Sequence, residues 1–264
     1  MNLKLIGKTA LITGSTAGIG LAIAESLVSE GANVFLNGRT RERVEGAVLT
    51  VKSGHDNARV SGVVADLSTL EGAEKVILGI PDVDILVNNM GIFETKPFEE
   101  IPDADWLKFF EANVMSGVRL SRFYLPKMKA KNWGRIVFIS SESGVQIPAE
   151  MIHYGMTKSA QIAIARGMAE TTVGTKVTVN SVLPGPTASE GVTTFVEQTA
   201  VEQNVTREQM EKQFFETARP SSLLKRFIET KEIGDVVAFI CSPLASAING
   251  AAVRADGGVI RSMV

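Results

Sequence analysis

Seven short apolar runs punctuate the chain, and longer amphipathic stretches separate them. The runs are Thr9–Thr13, Asn33–Asn37, Val60–Val64, Asp84–Asn88, Arg135–Ser140, Lys176–Leu183 and Ala251–Ala255. Several are apolar throughout, without alternation, which is the pattern of parallel strands covered by helices on both faces. Between them, Ile19, Ala22, Ile23 and Leu27 recur at the helical period. Val44, Val48 and Val51 do the same, and Ile162, Ile164, Ala165 and Met168 do so less regularly. Strand and helix alternate along nearly the whole chain with no Pro-, Ser- or Gly-rich linker. This predicts one domain over 1–264, an α/β, Rossmann-like, doubly wound sheet with right-handed crossovers. The first half of that domain would be about 1–150.

One stretch breaks the rhythm. From about 186 to 232 no strand pattern recurs, and Glu, Gln and Thr are frequent. Thr206 and Gln209 have capping-box spacing ahead of a helix carrying Met210, Phe214 and Phe215. An insertion of this length predicts a helical lid over a site. A surface appendage or an oligomer contact is the alternative.

Composition narrows the partners. The net charge is −2, so neither a nucleic-acid footprint nor a polybasic membrane anchor is expected. No apolar stretch reaches the length of a membrane span. The N-terminal residues Met1 to Lys8 are charged and lead straight into a strand, unlike a signal peptide. With one cysteine, Cys241, and two histidines, His55 and His153, neither an internal disulfide nor a closed Cys/His zinc site can be built. The expectation is a reduced, cytoplasmic protein with a small-molecule substrate and no bound metal.

The turn after the first strand reads Thr13-Gly14-Ser15-Thr16-Ala17-Gly18-Ile19-Gly20 and opens a helix. Gly14 would permit the tight turn, Gly18 close approach of a diphosphate, and Gly20 close helix packing. A diphosphate there would sit at the positive end of the helix dipole, with Ser15 and Thr16 as hydroxyl donors. The second strand ends in Asn37-Gly38-Arg39, where an NAD-binding fold would carry an acid. A guanidinium in that place suits a 2′-phosphate, so NADP(H) is preferred and NAD(H) stays possible. Glu42 and Glu45 offer Arg39, Arg41 and Arg43 another source of compensation.

More polar clusters fall where strands end: Asp66, Asn88-Asn89-Met90-Gly91, Ser140 to Gly144, and Pro184-Gly185-Pro186-Thr187. Ligands of open α/β sheets bind outside that edge. Tyr154 and Lys158 are four apart in a helical window and share a face. A neighbouring ammonium favours a phenolate, which would let Tyr154 exchange a proton with a carbonyl or alcohol oxygen. Ser141, thirteen residues upstream, could hydrogen-bond the same oxygen. His153 lies on another helix face and reads as structural. Glu142, Gln146 and Glu150 read either as a polar pocket wall or as solvated loop. Cys241 reads as buried.

Together these residues resemble the short-chain dehydrogenase/reductase family from Leu5 to about Ile260. The motifs are the glycine turn, Asp66, Asn88–Gly91, Asn113, Ser141, Tyr154-x-x-x-Lys158, Asn180 with Pro184-Gly185, and Asp256-Gly257-Gly258. The general likeness is to 3-oxoacyl-thioester reductases and related ketoreductases. The resemblance implies a seven-stranded parallel sheet and a homo-oligomer, tetramer or dimer. It implies Tyr154 as general acid/base, with Lys158 holding the nicotinamide ribose and lowering the Tyr pKa. Ser141 would polarise the carbonyl, Ser143 would line the substrate pocket, and Asn113 would hold a proton-relaying water. Asp66 and Leu67 would meet adenine, Asn89 and Gly91 the adjacent ribose, and Pro184, Gly185 and Thr187 the nicotinamide end. Met90 stands where Ala is usual, which would narrow the space beside the ribose. Ala17 stands where many NADP-preferring members carry a cation. The competing readings are an NAD-dependent secondary-alcohol dehydrogenase and a non-catalytic NADP-binding sensor.

Overall fold

The computed structural model describes residues 2–55 and 58–263 of the chain. The apolar runs become seven strands, each within a residue or so of its predicted bounds. They are β1 (Thr9–Ile12), β2 (Asn33–Gly38), β3 (Val60–Val64), β4 (Ile85–Asn88), β5 (Gly134–Ile139), β6 (Val177–Pro184) and β7 (Ala252–Ala255). All pair in parallel in the order β3-β2-β1-β4-β5-β6-β7. The order reverses between β1 and β4, so a crevice opens there at the carboxyl ends.

The helices are α1 (Gly18–Ser29), α2 (Arg41–Gly54), α3 (Leu70–Gly79), α4 (Asp103–Phe110), α5 (Ser116–Ala130), α6 (Ile152–Glu170), α7 (Glu190–Glu202), α8 (Arg207–Thr217) and α9 (Thr230–Cys241). The unbroken apolar runs resolve into alternate faces once the sheet forms. Ala10, Ile12, Val34, Leu36, Val137 and Ile139 meet Ile23 and Leu27 of α1, Val51 of α2 and Val237 of α9. Leu11, Leu86, Ile136 and Phe138 meet Val76 of α3, Leu120 and Tyr124 of α5 and Ala165 of α6. Alternation is invisible in the sequence because both faces are dry. The edge strand β3 relaxes this, with Ser61 and Gly62 exposed.

The stretch predicted as an insertion folds as α7 and α8. Its own small core joins Val196, Ala200, Met210, Phe215 and Phe227. Thr206 and Gln209 form the expected reciprocal capping box on α8. Between α4 and α5 the helix widens into one π turn, Glu111–Met115, carrying Asn113. Such turns mark functional positions in many proteins.

Candidate active site

Two connected hollows lie along the carboxyl edge. A small one, about 220 Å³, is lined by Ala17, Gly18, Ile19, Gly20, Asn89, Ser189, Glu190 and Gly191. A larger one, about 700 Å³, contains Gly91, Ser141, Ser143, Tyr154, Lys158, Pro184, Gly185 and Thr187. Ile19, Asn89 and Ser189 line both, so one groove runs from the glycine turn to Tyr154. Val192, Met210, Phe214 and Phe227 from the α7–α8 region form an apolar wall of the larger hollow.

Backbone conformation builds the first hollow. Gly14 and Gly18 have φ of +58° and +57°, a left-handed geometry that side chains resist. A Cβ on Gly20 would lie 2.5 Å from Asn89 Nδ2 and 2.6 Å from the Gly14 carbonyl oxygen. Gly20 is therefore required by the turn itself rather than by helix-to-sheet packing, a change from the sequence expectation. Asn89 Nδ2 donates to the carbonyls of Thr13 (3.0 Å) and Gly14 (2.8 Å), clamping the turn. Thr13 Oγ1 accepts from the amides of Asn89 and Met90, each at 2.9 Å, and ties β1 to the Asn-Asn motif. Neither Ala17 before α1 nor Ser189 before α7 caps its helix with a side chain. Two helix N-termini with free donors thus face one hollow, a setting that fits a diphosphate.

Burial changes the reading of the Ser15 hydroxyl. Ser15 is fully buried; its hydroxyl donates to the Ile12 carbonyl (2.8 Å) and accepts from the Asn37 amide (2.9 Å). It ties β1 to β2 and cannot serve as a diphosphate donor. The Leu67 side chain is fully buried in the core, so only its main chain could face adenine. Met90 is partly buried and packs against the apolar cluster that holds Leu11 and Leu86. Asp66 is exposed at its strand end, and its Oδ1 accepts from Ser68. Of the arginines after β2, Arg41 pairs with Glu45 (3.3 Å) and Arg43 with Glu190 (2.6 Å). Arg39 is exposed and has no acidic partner among the described residues.

At the other end, β5 delivers Ser141, α6 delivers Tyr154 and Lys158, and the π turn delivers Asn113. Lys158 Nζ lies 5.5 Å from the Tyr154 ring centroid. It donates to the Ile139 carbonyl (2.8 Å) and to Gln161 Oε1 (3.3 Å). Burial pushes Lys158 down to about 7. Burial also pushes the Tyr154 hydroxyl above the ordinary phenol value; Glu142 adds to this, while Ser141 and Arg219 oppose it. Desolvation disfavours the charged form of each group and is the leading cause for both, and Lys158 is not among the groups that shift Tyr154.

Asn113 holds the segment after β4. Its Oδ1 accepts from the Ile92 amide (2.7 Å), and its Nδ2 donates to the Ile92 carbonyl (3.0 Å) and Thr157 Oγ1 (2.9 Å). Its main-chain oxygen accepts from Gln161 Nε2 (2.6 Å). A glutamine side chain therefore joins Lys158 to Asn113. Gln161 was missed, although its spacing three residues after Lys158 on one helix is a usable signal. His153 is fully buried against Phe109, 4.1 Å between ring centroids, as a structural residue. Glu142, left open by the sequence, is buried; Gln146 instead reaches Ser221 at 3.3 Å outside the hollow. Cys241 is buried, and burial raises its thiol to about 12. Among the described residues no group of His, Cys, Asp or Glu is arranged to hold a metal, and no helix is long and apolar enough to cross a membrane.

The burial of Lys158 has a measurable consequence. A lysine whose folded pKa lies below its unfolded value binds fewer protons when folded. Stability then rises with pH between about 7 and the ordinary 10.5, with the full penalty below 7. Lys158→Met is expected to raise Tm at pH 7, and the gain should shrink towards pH 10. The limiting slope is about 1.4 kcal/mol per pH unit. Thermal melts across that range check this, and a pH-independent difference would contradict it.

Comparison with known proteins agrees with this architecture. A sequence profile described as short chain dehydrogenase matches residues 8–200. The uncharacterized oxidoreductase YvaG of Bacillus subtilis is 49% identical over 263 residues, covering 100% of both chains. The 3-oxoacyl-[acyl-carrier-protein] reductase FabG of Aquifex aeolicus is 34% identical over 265 residues, 98% of this chain and 100% of its own. L-sorbose reductase from Gluconobacter frateurii, solved with NADPH and L-sorbose, superposes with a TM-score of 0.93 at 30% identity over 100% of both chains. The chain belongs to the short-chain dehydrogenase family. It is an oxidoreductase of the kind that acts on CH–OH or carbonyl groups.

Proposed function

We propose that the protein is an NADP(H)-dependent carbonyl reductase in which Tyr154 is the general acid. The observation that carries this is the convergence of Ser141, Tyr154 and Lys158 on one hollow continuous with the glycine turn. About 700 Å³ suits a nicotinamide and a small ketone together. Bound NADPH supplies the hydride to the carbonyl carbon. Tyr154 gives its hydroxyl proton to the carbonyl oxygen, and the product is a secondary alcohol. Ser141 would hydrogen-bond the same oxygen once its hydroxyl turns from Glu142, while Ser143 lines the space beyond. Lys158 would hydrogen-bond the ribose hydroxyls, and Asn113 fixes the wall at Ile92. The main chain of the turn at Gly14, Thr16, Gly18, Ile19 and Gly20 would hold the diphosphate. Asp66 and the Leu67 main chain would meet adenine, Asn89 and Gly91 the ribose, and Pro184, Gly185 and Thr187 the nicotinamide end. Helices α7 and α8 act as the lid that excludes water.

Burial suits the reductive direction, since it keeps Tyr154 protonated at neutral pH. Alcohol oxidation needs the phenolate and should quicken as pH rises. The NADPH-bound sorbose reductase supports the choice of cofactor, as does Arg39, which has no acidic partner among the described residues. Arg39→Ala should weaken NADPH roughly ten- to a hundredfold, the scale of a charged hydrogen bond, with NADH nearly unchanged. Fluorescence titration with both nucleotides measures this, and equal losses would remove the 2′-phosphate assignment. A panel of ketones, acyl thioesters and ketoses assayed with both nicotinamides tests the activity itself. Absence of any NADPH consumption across the panel would favour a nucleotide-binding sensor.

A further inference from the structure

The Ser141 hydroxyl proton is already held. Ser141 Oγ donates to Glu142 Oε2 at 2.5 Å, and Ser143 Oγ donates to the same oxygen at 2.6 Å. The other carboxylate oxygen accepts from Arg219 Nε at 2.8 Å. Arg219 lies just beyond α8, 77 residues along the chain from Glu142. The two side chains are only 5% and 11% exposed, so solvent screens them little. Arg219 also reaches Glu150 Oε1 (3.3 Å) and covers the Phe214 ring at 5.9 Å. A buried carboxylate is tolerated when such a partner and hydrogen bonds compensate it.

We propose that Glu142 and Arg219 are positioning residues that together set the acidity of Tyr154 and the orientation of the Ser141 hydroxyl, so that seating of the lid is felt at the reacting oxygen. This rests on the reading of Tyr154 as acid/base. The two charges act in opposite senses: Glu142 opposes ionisation of Tyr154 and Arg219 favours it. With the lid seated the anion is matched by a cation. Without Arg219, Glu142 would face the phenol uncompensated and keep its claim on Ser141. The other charged groups on the same hollow are Glu94 after β4, Glu150 before α6 and Lys158 on α6 itself. All of them remain in every variant used below.

The chain has two tyrosines, Tyr124 and Tyr154. Tyr124 is buried in the core, bonded to the Ile80 carbonyl at 2.6 Å and away from the site. In a Tyr124→Phe background, the ultraviolet absorbance of tyrosinate therefore reports on Tyr154. Tyr124→Phe with Tyr154→Phe is the blank, and circular dichroism defines the pH range in which each variant stays folded. Glu142→Gln is expected to move the titration to lower pH by about half a unit or more. Arg219→Met should give less tyrosinate than the parent at every pH where both are folded. Glu142→Gln with Arg219→Met should fall between, and Arg219→Lys should stay near the parent. An unmoved titration, or both single variants shifting the same way, would overturn the proposal and leave the pair a packing feature. Should Tyr154→Phe retain ketone reduction while these shifts appear, the acid–base reading fails and the electrostatic pairing stands.

Discussion

Tyr154→Phe is expected to reduce the ketone-reduction rate by about 10²–10⁴-fold, the usual worth of a positioned general acid. NADPH binding should change little, because the ring, Lys158 and the glycine turn all remain. The reasoning is local. Tyr154 reaches the hollow from α6, one helical turn before Lys158, and faces Ser141 across it. Removing the hydroxyl leaves the ring packed edge-on against Phe93, 6.4 Å between centroids, so the cavity wall survives. What disappears is the proton that the alkoxide needs as hydride arrives. Initial rates from NADPH absorbance, set beside a fluorescence titration, separate the two effects. Undiminished turnover would exclude Tyr154 as the acid and leave Ser141 as the remaining hydroxyl at the oxygen.

Gly20→Ala is expected to lower both stability and cofactor affinity. The added methyl would stand 2.5 Å from Asn89 Nδ2, 2.6 Å from the Gly14 oxygen and 2.8 Å from Ser15 Cα. Two of these are backbone atoms, so the turn itself must move. Overpacking of this kind costs about 1–3 kcal/mol. In a chain of this size that is several degrees of Tm. The cost to function is expected to exceed the cost to folding. Displacing Asn89 releases its hold on the Thr13 and Gly14 carbonyls, and with it the placement of the α1 N-terminus. NADPH and NADH should weaken together by tenfold or more, since the diphosphate is common to both. A Tm fall with unchanged affinity for both nucleotides would show that the turn tolerates the shift. The contrast with Arg39→Ala, which should separate the two nucleotides, makes each variant a control for the other.

Much of the fold was legible because its signals are local. The unbroken apolar runs marked buried parallel strands, and the capping pair Thr206 and Gln209 marked the start of α8. The spacing of Tyr154 and Lys158 placed both on one helix face, and the strand-end clusters named the edge where the hollows lie. What failed was the direction and company of particular side chains. Ser15 has the hydroxyl of a phosphate donor, yet the Ile12 carbonyl and the Asn37 amide hold that hydroxyl inside. Glu142 read equally as wall or loop, because its burial depends on a guanidinium 77 residues away. Arg219 carried no local signal.

The sequence by itself determined the order of strands and helices, the glycine turn, and which residue types stand at each strand end. Those follow from backbone geometry and from periodic burial, which act over a few neighbours. Only the tertiary structure decided that burial lowers Lys158 and raises Tyr154, that Gln161 joins Lys158 to Asn113, and that Glu142 meets Arg219. Protonation and pairing depend on how much water is excluded and which charges are brought together. Both are set when distant segments close over the same hollow.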